Sequence, residues 1–238
     1  MKQIIAMHGW AGDSDSWKTW ADHFQSEGWL WQNGERGYGD LSTLKPHWIK
    51  EKPKALNTKR TVIGHSLGPH LLSSEILEEA TDIVLLGSFS RFLRQGKRDR
   101  LMEASLKAMQ KHIGTKLEQQ MLSSFLEKAI YPDKPKKLPV GPITKGLSPD
   151  GRKKLQEDLN LLINTNGLPT GLPRKARVLV IEGKEDSIID PSTRLRLLKD
   201  LQKHLYCPPT HWQFSNTGHS LLIPGLIKRV QNWLESSK

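Results

Sequence analysis

Three residues that lie far apart in the chain, each in a short glycine-bearing loop, have the types needed for acyl transfer. Ser66 sits in Gly64-His65-Ser66-Leu67-Gly68, Asp186 in Gly183-Lys184-Glu185-Asp186, and His219 in Gly218-His219-Ser220. A serine hydroxyl is a weak nucleophile until a base takes its proton, and an imidazole is a better base when a carboxylate fixes its tautomer. The glycines two places either side of Ser66 suit a tight, strained turn on which the hydroxyl stands clear of the backbone. Glu185 and Asp190 are rival carboxylates. Asp186 is preferred because Gly183, three residues earlier, supplies a turn that points it inwards. The charge that develops on an attacked carbonyl oxygen needs two main-chain donors. The Leu67 amide, next after the serine, is one. The other is assigned to Trp10 in His8-Gly9-Trp10, whose indole would also wall the pocket. His8, His65 and His70 read as structural neighbours.

Such residues must be held at strand ends, and the chain offers the strands. Ile4 to Met7, Trp29 to Trp31, Arg60 to Ile63 and Asp82 to Leu86 are short apolar runs. Between them lie a helical pattern from Trp17 to Gly28 (with N-cap candidates at 13–16), a polar stretch over 43–60 that is helix or loop, and a helix from Leu67 to Glu79. After a gap the pattern resumes with a strand at Val178 to Ile181, a helix at Ser192 to Lys203, a strand at His211 to Phe214 and a helix at about Leu221 to Glu235. Alternating strands and helices predict a mostly parallel sheet with helices on both faces. Asp186 and His219 then follow the C-terminal ends of their strands, where open parallel sheets place ligands.

The gap is an insertion. Core residues are expected over 1–87 and 178–238, and a basic helical cap over 88–177. Three amphipathic segments in it carry Leu101 to Ile113, Leu117 to Ile130 and Leu155 to Ile163, broken by proline- and glycine-rich loops. The net charge of +11 is concentrated there. Residues 91–177 hold 19 lysines and arginines against 8 acids, whereas the rest of the chain holds 17 of each. The densest clusters are Arg91, Arg94, Lys97, Arg98 and Arg100, and Arg152, Lys153 and Lys154. A one-signed field over the mouth of a site steers an oppositely charged partner towards it.

Hydrophobic content of 36% with 26% charged residues suits a globular chain, and no apolar run reaches membrane-spanning length. The first residues read as a strand rather than a signal peptide. The lone Cys207 excludes a disulfide framework within the chain, so a cytoplasmic location is expected. No metal or other cofactor is expected, since His and carboxylates are not grouped at ligand spacing.

On the His8-Gly9-Trp10 loop with Trp17, on Gly37-Tyr38-Gly39-Asp40-Leu41-Ser42, on Gly64 to Gly68, on Gly183 to Asp186 and on Gly218-His219, the chain resembles the α/β-hydrolase superfamily over nearly its whole length. The order Ser66, Asp186, His219 is the superfamily's order. It departs from the pattern in starting at the strand that usually comes third, and in placing Pro69 where a small residue is usual. Within the superfamily it looks most like the small carboxylesterases that cleave the methyl ester of pimeloyl-acyl carrier protein in biotin synthesis. The resemblance implies an α/β-hydrolase fold and a serine carboxylesterase. It also implies, as partner, an acidic acyl carrier protein docked on the basic cap. A monomer is expected, with no nucleic acid and no integral membrane association.

Other functions stay open on the sequence: a lipase or phospholipid esterase, an acyl-carrier thioesterase, a hydrolase that has lost its activity, and a nucleic-acid-binding module using the basic cap. The last is disfavoured because the cap has few aromatics, Phe92, Phe125 and Tyr131, to stack on bases.

Overall fold

The computed structural model describes residues 1–50, 58–93, 97–134 and 140–236, with backbone alone at 97–99. Strands β1 (Lys2–Met7), β2 (Leu30–Gly34), β3 (Lys59–His65), β4 (Asp82–Leu86), β5 (Arg177–Gly183) and β6 (Thr210–Phe214) form one sheet in the order β2-β1-β3-β4-β5-β6. Every neighbouring pair is parallel. The chain steps from β1 to one side for β2 and then to the other side for β3. The order therefore reverses at β1 and β3, where Met7 pairs with Gly64. A crevice opens at the C-terminal ends of strands related in this way.

Alternate residues of each strand feed alternate faces, as a period of two requires. Ile5, Val62, Ile83, Leu85, Val178 and Val180 pack on one face with α3 (Ser74–Glu78) and α8 (Pro191–His204), through Ile76, Leu77, Leu197 and Leu201. Ile4, Ala6, Ile63, Val84, Leu86, Leu179 and Ile181 pack on the other with α1 (Lys18–Ser26) and α9 (Leu226–Glu235), through Phe24, Val230 and Leu234. A third core caps the strand ends. It joins Trp10, Tyr38 and Leu67 to Leu106, Leu122, Ile143, Leu155 and Leu159. These last come from α4 (Lys97–His112), α5 (Glu118–Ile130), α6 (Pro142–Lys145) and α7 (Pro149–Asn164). No helix among the described residues is long and apolar enough to cross a membrane.

The helix expected over Leu67 to Glu79 is broken. α2 covers only Gly68–Leu71, Leu72 is extended with ψ 150°, and α3 starts afresh after Ser73. The break has a packing cause: Leu71 faces the cap core and Leu72 the sheet core, which one straight helix would not reach together. The last helix also starts late, at Leu226, because Leu221 and Gly225 hold positive φ values. Asp13, expected as an N-cap, heads a 3-10 turn over Ser14–Trp17 but makes no side-chain cap bond. No helix forms in the described part of 43–60, and 51–57 lie outside the described residues.

Candidate active site

Ser66 directly follows β3 and holds φ at +55°. A non-glycine residue in that region costs about 1–2 kcal/mol, so its surroundings must impose it. Its amide donates to Leu86 O at 2.8 Å, and Ser88 Oγ donates to its carbonyl at 2.8 Å. The flanking glycines are needed for close approach: a Cβ on Gly64 would overlap the Pro69 ring, and one on Gly68 the Met7 carbonyl. Pro69 therefore packs directly against the glycine that opens the turn.

The loops after β5 and β6 bring Asp186 and His219 together. His219 Nδ1 lies 2.8 Å from Asp186 Oδ2, with both side chains buried. The other carboxylate oxygen, Oδ1, accepts from the amides of Ile188 at 2.8 Å and Ile189 at 2.9 Å. Burial pushes the Asp186 carboxyl up, but His219 and those two amides outweigh it and hold the group below its ordinary value. The rival carboxylates are used elsewhere: Glu185 accepts from the Thr217 amide at 3.0 Å, and Asp190 caps α8. Gly183 is not at a positive φ. Instead, a Cβ there would strike the carbonyls of Thr217 and Gly218, so it lets the two loops touch.

Ser66 and His219 line one cavity, without a hydrogen bond between them in this geometry. Such contacts commonly tighten only in the complex with substrate. His65, beside the serine, has Nε2 3.0 Å from His219 O, so it donates there and fixes the His219 backbone. Burial, with His219 close by, lowers its pKa to about 4, which keeps it neutral.

The Trp10 and Leu67 amides, the expected oxyanion donors, donate to no main-chain carbonyl among the described residues. The Trp10 indole is tied into the cap. Its Nε1 donates to Leu155 O at 2.9 Å, and its ring meets Phe125 edge-on at 4.9 Å. Buried Glu35 holds the same loop in place, accepting from Ser14 N at 2.6 Å and Gly37 N at 2.7 Å. Burial raises the Glu35 pKa, but His8 and these amides more than offset it, leaving about 2.

Two cavities meet at Ser66, divided by Trp10 and Phe125. One, of about 260 Å³, contains His219, Asp13, Trp17 and the 141–144 segment. The other, of about 410 Å³, runs under the cap between Phe92, Leu106, Met109, Met121 and Leu162. Sequence reasoning missed the anchors of this arrangement. Ser187 Oγ donates to Lys128 O at 2.7 Å, and Ser220 N to Ala129 O at 3.0 Å. Carbonyls in the last turn of α5, which lack helical partners, thus hold the residues next to Asp186 and His219. Nothing local in the sequence marks those serines.

Of the basic cap residues, Arg94 lies outside the described residues, as do the side chains of Lys97 and Arg98. Arg91 reaches Asn166 O at 3.5 Å. Arg152 pairs bidentately with Glu118 at 2.8 Å, and Lys154 with Asp150 at 2.7 Å. Arg100 and Lys153 are exposed. No cluster of three metal-capable side chains occurs among the described residues.

Neither a protein-family model nor a curated protein matches the chain. Solved structures do. An esterase from Exiguobacterium antarcticum superposes with a TM-score of 0.71 at 15% identity, covering 99% of this chain and 92% of its own. An α/β-hydrolase from a Medee basin deep-sea metagenome gives 0.68 at 15%, over 100% and 90%. A bromoperoxidase from Bacillus anthracis gives 0.66 at 15%, over 98% and 89%. The fold is the α/β-hydrolase fold. Likeness at this identity carries no particular reaction, because one fold hosts several.

Proposed function

We propose that the protein is a serine carboxylesterase. The observation that carries this reading is Ser66 on its strained turn, with His219, backed by Asp186, lining the same cavity. Ser66 Oγ attacks the ester carbonyl carbon while His219 Nε2 accepts its proton. The Trp10 and Leu67 amides receive the negative oxygen. His219 then returns the proton to the departing alkoxide, and water activated by the same nitrogen releases the acid. His219 lines the smaller cavity and not the larger. The leaving alcohol must lie beside the group that protonates it, so the smaller cavity takes the alcohol and the larger one the acyl chain.

The reading is tested by trapping. An alkyl fluorophosphonate should add to the protein once, Oγ displacing fluoride from phosphorus, and peptide mass analysis should place the adduct on Ser66. Labelling elsewhere, or none, would remove the reading.

The finer substrate is the methyl ester of pimeloyl-acyl carrier protein, with the carrier on the cap. Its support is the basic surplus of the insertion and the exposed Arg100 and Lys153. Arg100→Glu with Lys153→Glu should raise KM for the carrier-bound ester by about tenfold relative to free methyl pimelate, two reversed charges being enough for that at low salt. Equal changes on the two substrates would sink the carrier.

A further inference from the structure

Helix α5 touches both the larger cavity and the loops that carry Asp186 and His219. Met121, Phe125 and Lys128 line that cavity from one face of the helix. Its first turn is fastened to α7 by the bidentate Glu118–Arg152 pair, with both bonds at 2.8 Å. Its last turn is fastened to the two loops. Lys128 O accepts from Ser187 Oγ at 2.7 Å, and Ala129 O accepts from both the amide and the hydroxyl of Ser220 at 3.0 Å. A Cβ on Gly218 would overlap the Tyr131 carbonyl, so the backbone before His219 lies directly against the end of α5. Ser187 follows Asp186, while Gly218 and Ser220 flank His219. A helix is stiff along its axis, and stiff elements with hydrogen bonds at their ends can carry coupling from one place to another. What remains to be made at the other end of that coupling is the Ser66–His219 hydrogen bond, since the two residues share a cavity without it.

We infer that α5 couples filling of the larger cavity to the closing of His219 Nε2 on Ser66 Oγ, with Ser187 and Ser220 as the positioning residues that carry the coupling. The inference rests on the serine-esterase reading and deepens it: the acyl chain sets the base in place as well as anchoring the ester. An alkyl chain packed against Met121 and Phe125 draws α5 towards the cavity floor. The Lys128 and Ala129 carbonyls move with the helix, and the two serines move with the carbonyls. The pimeloyl chain of the proposed methyl ester would occupy the same space. Binding that acts alike on the ground and transition states lowers KM alone, whereas binding used to complete the catalytic geometry raises kcat.

The test compares p-nitrophenyl butyrate, hexanoate and octanoate, which share a leaving group and differ only in how far they fill the cavity. The wild-type kcat should rise by about tenfold from butyrate to octanoate, the scale expected when a small misplacement of a catalytic group is corrected, and KM should fall. In Ser187→Ala with Ser220→Ala the kcat ratio should drop to about one while KM still falls with chain length. Ser187→Thr with Ser220→Thr keeps both hydroxyls and should restore most of the ratio. Ser187→Ala alone, which leaves both Ser220 bonds, should give an intermediate ratio and serves if the double variant melts too low to assay.

A wild-type kcat that is flat across the series would overturn the coupling, because the chain would then contribute only binding. So would the same fractional loss of kcat on all three esters in the alanine variants, which would leave the serines as simple supports of their loops. A threonine pair no better than the alanine pair would show that the hydroxyls do not carry the effect. Loss of the esterase reading shows differently, as failure of the fluorophosphonate to label Ser66.

Discussion

Ser66→Ala is expected to lower kcat on a short p-nitrophenyl ester by about 10⁶, and Asp186→Asn by about 10⁴. The first change removes the nucleophile and leaves only the oxyanion donors and the pockets. The second leaves Ser66 in place and acts through the tautomer of His219. Asp186 Oδ1 accepts two main-chain amides, from Ile188 and Ile189, while Oδ2 faces His219 Nδ1. In the asparagine variant the carbonyl oxygen must take the two amides, because an NH2 group cannot accept them. The NH2 is thereby turned towards His219. It donates to Nδ1 and drives the imidazole proton to Nε2, the nitrogen that should receive the proton of Ser66. Glu185→Gln and Asp190→Asn are the controls. Glu185 faces the Thr217 amide, and asparagine caps a helix as well as aspartate does. Steady-state rates and melting curves of the four variants decide the matter. A loss in Glu185→Gln as large as in Asp186→Asn would remove the carboxylate assignment, and full turnover in Ser66→Ala would remove the mechanism.

The parts of the site that the sequence made legible are those set by local rules. Apolar runs of strand length, a serine between spaced glycines and a fixed chain order pointed to Ser66, Asp186 and His219, and the geometry brings the last two into contact. The parts it hid depend on what meets what across the fold. A helix pattern from Leu67 to Glu79 is continuous by periodicity, yet Leu71 and Leu72 belong to different cores and the helix breaks between them. Asp13 resembles an ordinary cap residue until Glu35, 22 positions on, is seen to hold the neighbouring amide. Arg152 and Lys154 count as free charge in a sequence, but Glu118 and Asp150 neutralise them in the fold. A polar residue states its chemistry locally and its partner only through the tertiary structure.

Asp158→Ala is expected to destabilise the protein by about 3 kcal/mol, although Asp158 looks like a surface acid in an amphipathic helix. It is buried in α7 beside Leu155, Leu159 and Leu162, and it fastens the cap to the core. Arg36, in the loop after β2, grips it bidentately at 2.7 Å with both bonds, and Tyr38 OH donates to Oδ2 at 2.5 Å. Burial pushes the Tyr38 phenol well above its ordinary pKa, and Asp158 adds to that, so the proton stays available to donate. Removing the carboxylate leaves a guanidinium and a phenol in a partly closed space. Breaking a buried ion pair costs about 3–5 kcal/mol. The lower end applies because the Arg36 side chain keeps 26% exposure and regains some water. For a chain of this size that is a fall in Tm of about 6–12 °C. Pairing Asp158→Leu with Arg36→Met should recover most of it, since an apolar replacement leaves no charge uncompensated. Activity should follow the clamp. The Leu155 carbonyl on the same helix holds the Trp10 indole, and the Trp10 amide is one of the two oxyanion donors in the proposed mechanism. A cap that shifts by even a fraction of an ångström moves that amide, so kcat/KM should fall by about tenfold at temperatures where the variant is still folded. Thermal melts and initial rates on one short ester measure both effects. A variant melting within 2 °C of wild type (about 1 kcal/mol or less) would show that the cap is held by its apolar core alone.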